Sequence, residues 1–236
     1  MKANNEVYPK APLTEVVFEI RFPGEPAVEC HRDEFFDFVR AQFPVVRVPE
    51  MVAETQFKFK TYQFTSEDSA FTVMAGINSL AYSSKRYTGY ADFKKQLTPV
   101  FNFFCERFKI KSLRRAGFRY INAIPYTREN GSIPLSRFLK SKFVLSPDIP
   151  ESLEHCSISL VQNLGNGHIL TRLETMTAQK SKGEALLLDF DYFKTESLHC
   201  KHLMTYLDES HAQAKSFFEH IITDQYRDFL RGNPLL

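Results

Sequence analysis

Apolar and polar residues alternate through residues 14–22, TEVVFEIRF. Val16, Phe18, Ile20 and Phe22 fall on one face, and Glu15, Val17, Glu19 and Arg21 on the other, the period of a half-buried strand. PGEP then reads as a turn. In RDEFFDFVRAQFP the period lengthens. Asp33 and Glu34 sit in a first helical turn, Phe35, Phe36, Phe38, Val39 and Phe43 form one broad stripe, and Pro44 ends it. Strands follow in 52–66, carrying Phe57, Phe59, Tyr62 and Phe64, and in SAFTVMAGINSLAYSS, 69–84, with SED as the hairpin turn between them. Residues 90–108 predict a second helix, in which Pro99 marks a kink or a late start.

Residues 113–125, LRRAGFRYINAIP, return to period two. Leu113, Arg115, Gly117, Arg119 and Ile121 share one face, and Arg114, Ala116, Phe118, Tyr120, Asn122 and Ile124 the other. A short helix around LSRFLKS precedes 141–153, a loop rich in Pro and Ser. HCSISLVQNL, the turn GNG and HILTRLETMTA then form a hairpin. QKSKG turns the chain into the strand EALLLDFDYF, and a helix over 204–230 closes the sequence with Leu207, Ala214, Phe218, Ile221 and Phe229 near helical spacing. The expected fold is a single α+β domain over 1–236 with a seam between halves at 141–153. Its curved antiparallel sheet packs on long helices, either as two related halves or as a helix-grip arrangement.

Composition narrows the function classes. A net charge of +2 gives no bulk reason to expect a polyanionic partner. The 23 phenylalanines and absent tryptophan imply a phenylalanine-dominated core. Cys30, Cys105, Cys156 and Cys200 lack the spacing of a zinc site or disulfide framework, so free thiols in a reducing cytoplasm are expected. With no apolar leader and no run of transmembrane length, the chain reads as cytoplasmic.

The charges on the strands are paired by position. Glu19 and Arg21 lie on one face of the first strand, Arg115 and Arg119 on one face of 113–125, and Asp189 and Asp191 on one face of LLLDFDYF. Three readings stay open: a solvent-exposed face of cross-strand ion pairs, a partly enclosed groove whose arginines await a carboxylate or phosphate, or a protein interface. In the first, the arginines of 113–125 pair with Glu19 or with Asp189 and Asp191 across the sheet.

Five segments carry a resemblance. APLTEVVFEIRF, INSLAYSSKRYTGYADF, RAGFRYINAI and LLLDFDYF, followed by a helix with LDESHAQAKSFFEHIIT, occur in this order over most of the chain. Together they resemble an uncharacterised, sporadically distributed bacterial protein family. Its pattern is a Pro-Leu-x-Glu strand, a Tyr-x-Gly-aromatic step, an Arg-Tyr-x-Asn strand and a Leu-x-x-x-His helix. The matching residues are Pro12, Leu13 and Glu15; Tyr87, Gly89 and Tyr90; Arg119, Tyr120 and Asn122; and Leu207 and His211. Tyr90 stands where the pattern has Trp. The resemblance implies no assigned activity, and its patchy distribution is similar to that of genes in phage-defence loci.

No catalytic set emerges. His199, Cys200, His202, His211 and His220 crowd the last segment, but no HExxH pattern completes a metal site, and His211 is expected to hydrogen-bond a buried partner such as a sheet carboxylate. GNGH is a hairpin turn, Ser157 and Ser159 sit in no nucleophile elbow, and Asp189 and Asp191 have the spacing of an ordinary exposed pair as much as of a metal site. No cofactor is expected. The sequence points to a non-enzymatic recognition or scaffold protein acting with a partner protein from a neighbouring gene, as a sensor component of anti-phage defence. Arg115, Arg119, Tyr120, Asn122, Glu19, Arg21, Asp189, Asp191 and His211 are the candidate binding residues. The alternatives are a lipid or small apolar ligand in a helix-grip cavity, and single-stranded nucleic acid on SSKRYTGY and KIKSLRRAGFRY, where basic and aromatic residues interleave.

Overall fold

The computed structural model describes residues 7–48, 61–140, 154–177, 183–196 and 198–234. In chain order the elements are β1 (Leu13–Arg21), α1 (Pro26–Cys30), α2 (Arg32–Val39), β2 (Val45–Arg47), β3 (Tyr62–Thr65), β4 (Phe71–Gly76), β5 (Ser79–Ser84), α3 (Tyr90–Arg107), β6 (Ser112–Leu113) and β7 (Arg115–Tyr126). There follow α4 (Leu135–Phe138), β8 (Ser157–Asn163), β9 (His168–Thr177), β10 (Glu184–Lys194), β11 (Leu198–His199), a 3-10 turn (Cys200–His202), α5 (Leu203–Ile221) and α6 (Asp224–Leu230). Among the described residues nine strands form one open antiparallel sheet in the order β2-β3-β4-β5-β1-β7-β10-β9-β8, and β6 pairs with β11 apart from it. The mixed α+β class expected from the sequence holds. The expected seam at 141–153 lies outside the described residues, as do Phe57 and Phe59.

The chain divides into two compact units, each gathered from separate segments. One comprises 1–14, 120–192 and 211–236; the other comprises 15–119 and 193–210. In the second unit, Val16, Phe18 and Ile20 of β1 are fully buried, facing Ser84, Tyr82 and Leu80 of β5 in register. On α3, Phe93, Leu97, Val100, Phe101 and Phe104 recur at three and four residues and bury one stripe. Phe101 meets Phe18 at 5.3 Å and Phe93 meets Phe118 edge-on at 5.6 Å. Each such ring buries apolar area worth roughly 2–3 kcal/mol. Pro99 lies inside α3 on its exposed side, so the helix runs through it. Gly89, at the N-cap of α3, has φ of +143°, a conformation that side chains resist, which gives the glycine of the Tyr-x-Gly-aromatic step its reason.

In the first unit, Leu186, Leu188, Phe190 and Tyr192 of β10 are buried at alternate positions, and Phe190 packs edge-on against Phe217 of α5 at 5.4 Å. The chain near Tyr8 is tied down: Tyr8 Oη donates to Glu219 at 2.7 Å, and Lys10 N–H to the Leu230 carbonyl at 3.1 Å.

Four expected elements need correction. Residues 69–84 are two strands, not one, because Ile77 and Asn78 turn the chain and their carbonyls accept from Glu25 and Phe22 N–H. PGEP is a turn that also starts α1: Glu25 caps Ala27 N–H and Pro26 occupies the first helical turn. The α2 helix stops at Val39, short of Phe43. The single helix over 204–230 breaks at Ile222, which bridges Leu139, and Thr223 starts α6 by accepting from Tyr226 N–H at 3.1 Å.

Candidate functional site

The charged face of the 15–119/193–210 unit centres on Arg115. Alternation along β7 turns Arg115 and Gly117 away from the buried Ala116 and Phe118. Arg115 Nη1 donates to Glu19 Oε2 at 2.8 Å, and Arg21 Nε donates to Glu19 Oε1 at 3.1 Å, so one carboxylate serves two guanidiniums. The Arg115 side chain is 14% exposed and that of Arg21 57%. The Phe193 ring lies 4.8 Å from the Arg115 guanidinium carbon, a cation–π arrangement. A Cβ at Gly117 would lie 2.5 Å from Arg115 Nη1 and 2.8 Å from Cζ. The guanidinium rests on the glycine backbone. Arg119 is half-buried on the same face of β7.

In the other unit, Tyr120 and Asn122 point from the opposite face of β7 and are buried. Tyr120 Oη lies 2.7 Å from Nδ1 of the buried His211 on α5, so the buried partner expected for His211 includes a sheet phenol. Asn122 Nδ2 donates to the Leu188 carbonyl at 3.0 Å, fastening β7 to β10 through a side chain. Asp189 is 1% exposed, and Arg172 Nη1 of β9 donates to its Oδ2 at 3.1 Å. A carboxylate this deep requires such pairing. Asp191 is half-buried two residues along. The structure thus joins Glu19 with Arg21 and Arg115, and Tyr120 with His211. It supplies Asp189 with Arg172, a residue that sequence reasoning missed although alternation in HILTRLETMTA sets it opposite Ile169, Thr171 and Leu173.

A cleft of about 460 Å³ in the same unit is lined by Arg128, Gly131, Glu154, Thr175, Met176 and Glu184. Arg128 bonds both Glu184 oxygens, with Nε 2.9 Å from Oε2 and Nη2 2.8 Å from Oε1. It also donates to the Gly131 and Glu154 carbonyls at 3.0 and 2.9 Å. Glu184 holds the Arg128 guanidinium above its ordinary range, so the cleft's cation is already neutralised. Burial raises the nearby Tyr126 phenol, with the Glu184 charge adding to it. Burial also pushes up the Cys156 thiol, the protonated and unreactive form of a cysteine. Thr175 Oγ1 lies 2.7 Å from His155 Nδ1 and accepts from Cys156 N–H at 3.0 Å.

The remaining candidates separate. His199 lies in β11 and His202 in the 3-10 turn, both exposed, so they do not share a helical face. Among the described residues no three His, Cys, Asp or Glu side chains converge as metal ligands, and no helix is long and apolar enough to cross a membrane. The expectation of four free thiols is corrected: Cys105 of α3 and Cys200 are disulfide-bonded, while Cys30 and Cys156 are free. In SSKRYTGY, Arg86 pairs with Asp68; in KIKSLRRAGFRY, Lys109, Lys111 and Arg114 are exposed. No protein-family model matches the chain, and no curated protein matches it significantly.

Proposed function

We propose that the chain is a non-enzymatic recognition or scaffold component that acts with a partner protein, with sensing in anti-phage defence as its setting. One observation carries the recognition part of this reading. The groups with chemical potential are engaged with one another, as Glu19 with Arg115, Arg172 with Asp189, Glu184 with Arg128 and Tyr120 with His211, whereas large apolar side chains stand exposed on the two outermost strands and their flanks. These are Val45, Val46 and Val48 at the β2 end, and Leu160, Val161 and Leu164 at the β8 end. Surface of that kind suits a protein partner.

Native mass spectrometry of the chain, alone and coexpressed with products of neighbouring genes, tests the reading. A stable complex with one such product is expected. A lipid or apolar small molecule retained by the isolated chain would replace it with the helix-grip cavity. Salt-sensitive binding of single-stranded nucleic acid would replace it with a strand-binding surface.

A further inference from the structure

We infer that β8 pairs with β8 of a second copy of this chain, antiparallel across a two-fold axis at Leu160. This rests on the reading of the outer strands as interaction surfaces and names the occupant of one of them. Among the described residues β8 ends the sheet order and bonds to β9 on one side only. Its seven residues, Ser-Ile-Ser-Leu-Val-Gln-Asn, include no charge, proline or glycine. Sheet edges are ordinarily blunted by charge, proline or brevity. The opposite edge follows that rule, since β2 has three residues, includes Arg47 and follows Pro44. β8 does not, and Leu160 is 43% and Val161 63% exposed on its two faces.

Backbone geometry selects the register. The Cys156 carbonyl accepts from Thr175 N–H at 2.9 Å, and Leu164 N–H donates to the Gly167 carbonyl at 2.8 Å, so even-numbered residues aim their amides at β9. Ser157, Ser159, Val161 and Asn163 therefore present N–H and C=O groups to the open edge. A two-fold axis at Leu160 sets Ser159 opposite Val161 of the second copy and Ser157 opposite its Asn163. All four outward residues then exchange both backbone bonds. Leu160 meets its own copy as a close non-hydrogen-bonded pair, Ile158 faces Gln162, and no like charges oppose each other along the strand. A two-fold axis normal to the sheet keeps corresponding faces on the same side, so the pairing is self-complementary.

Sedimentation equilibrium of the full chain should show concentration-dependent association from 27.4 kDa to twice that mass. Val161→Pro removes an outward N–H and spares the β8–β9 ladder; it should weaken association at least tenfold with the circular dichroism spectrum unchanged. Leu160→Lys places like charges across the axis and should do the same. Leu160→Cys should form an interchain disulfide across the axis, identified by peptide mapping, and Ser157→Cys should not. A chain monomeric at hundreds of micromolar, or a dimer insensitive to both Val161→Pro and Leu160→Lys, overturns the proposal. A monomer that still binds a neighbouring gene product would overturn it while leaving the recognition reading standing.

Discussion

Replacing Gly117 with alanine ought to have opposite effects depending on whether Arg115 is present. In the native chain the new methyl would stand 2.5 Å from Arg115 Nη1, and the guanidinium, as the free end of a flexible side chain, would have to leave. It would then give up the 2.8 Å bond to Glu19 and its place over Phe193. A charge-assisted hydrogen bond contributes roughly 1.5–3 kcal/mol, at the low end here because Glu19 is 26% exposed, and the cation–π contact about 0.5–1 kcal/mol. Alanine recovers roughly 0.5–1 kcal/mol of backbone entropy relative to glycine in a strand. Gly117→Ala should therefore cost about 1–2 kcal/mol in the native background. In the Arg115→Ala background it should stabilise by about 0.5–1 kcal/mol, a coupling on the order of 2–3 kcal/mol across the cycle. For a chain of this size each kcal/mol moves Tm by roughly 2–4 °C, so thermal melts of the four proteins resolve the effect. The same shift in both backgrounds would refute the seating of Arg115 on Gly117.

Reduction, or Cys105→Ser, opens a cross-link between residues 95 apart. Loop entropy puts the loss on the order of 4–5 kcal/mol, and four titratable thiols in the denatured, unreduced chain would contradict the bond. Asp68 accepts from Ala70 N–H, Ser66 and Arg86, in that order of effect, and its carboxyl is lowered from 3.8 to about 2. A carboxyl depressed by folding contributes stability above its ordinary value and loses it as pH falls through about 2. Asp68→Asn should flatten that acid limb of the Tm profile, and an unchanged slope would show that the turn contributes nothing. Tyr120→Phe removes the hydroxyl 2.7 Å from His211 Nδ1, at an expected cost of about 1–3 kcal/mol, read by urea denaturation; a neutral substitution would show the hydrogen bond to be dispensable.

Elements whose signal is local were legible in the sequence. Alternation assigned the faces of β1, β7 and β10, and GNG the turn between β8 and β9, because a period of two and a glycine turn need no distant partner. β2 escaped notice since three exposed residues carry no period, and α1 was hidden behind a proline-glycine turn that also caps a helix. The site divides the same way. Position along a strand put Glu19, Arg21, Arg115, Asp189 and Asp191 on charged faces. Register between strands decided that Glu19 meets Arg115 and that Arg172 reaches Asp189. Cys105 and Cys200 are drawn together by tertiary structure alone, which spacing does not encode.

The discontinuous make-up of the unit of residues 1–14, 120–192 and 211–236 has a kinetic consequence. Tyr8 closes on Glu219, 211 positions later, and Lys10 on Leu230. At about 5–20 residues per second of synthesis, the first of these segments waits on the order of 10–40 s for its partners to be made. Throughout that interval the nascent chain carries unmatched apolar surface, so its folding yield in the cell should depend on chaperone capacity, and ribosomes stalled before α6 should release aggregation-prone fragments.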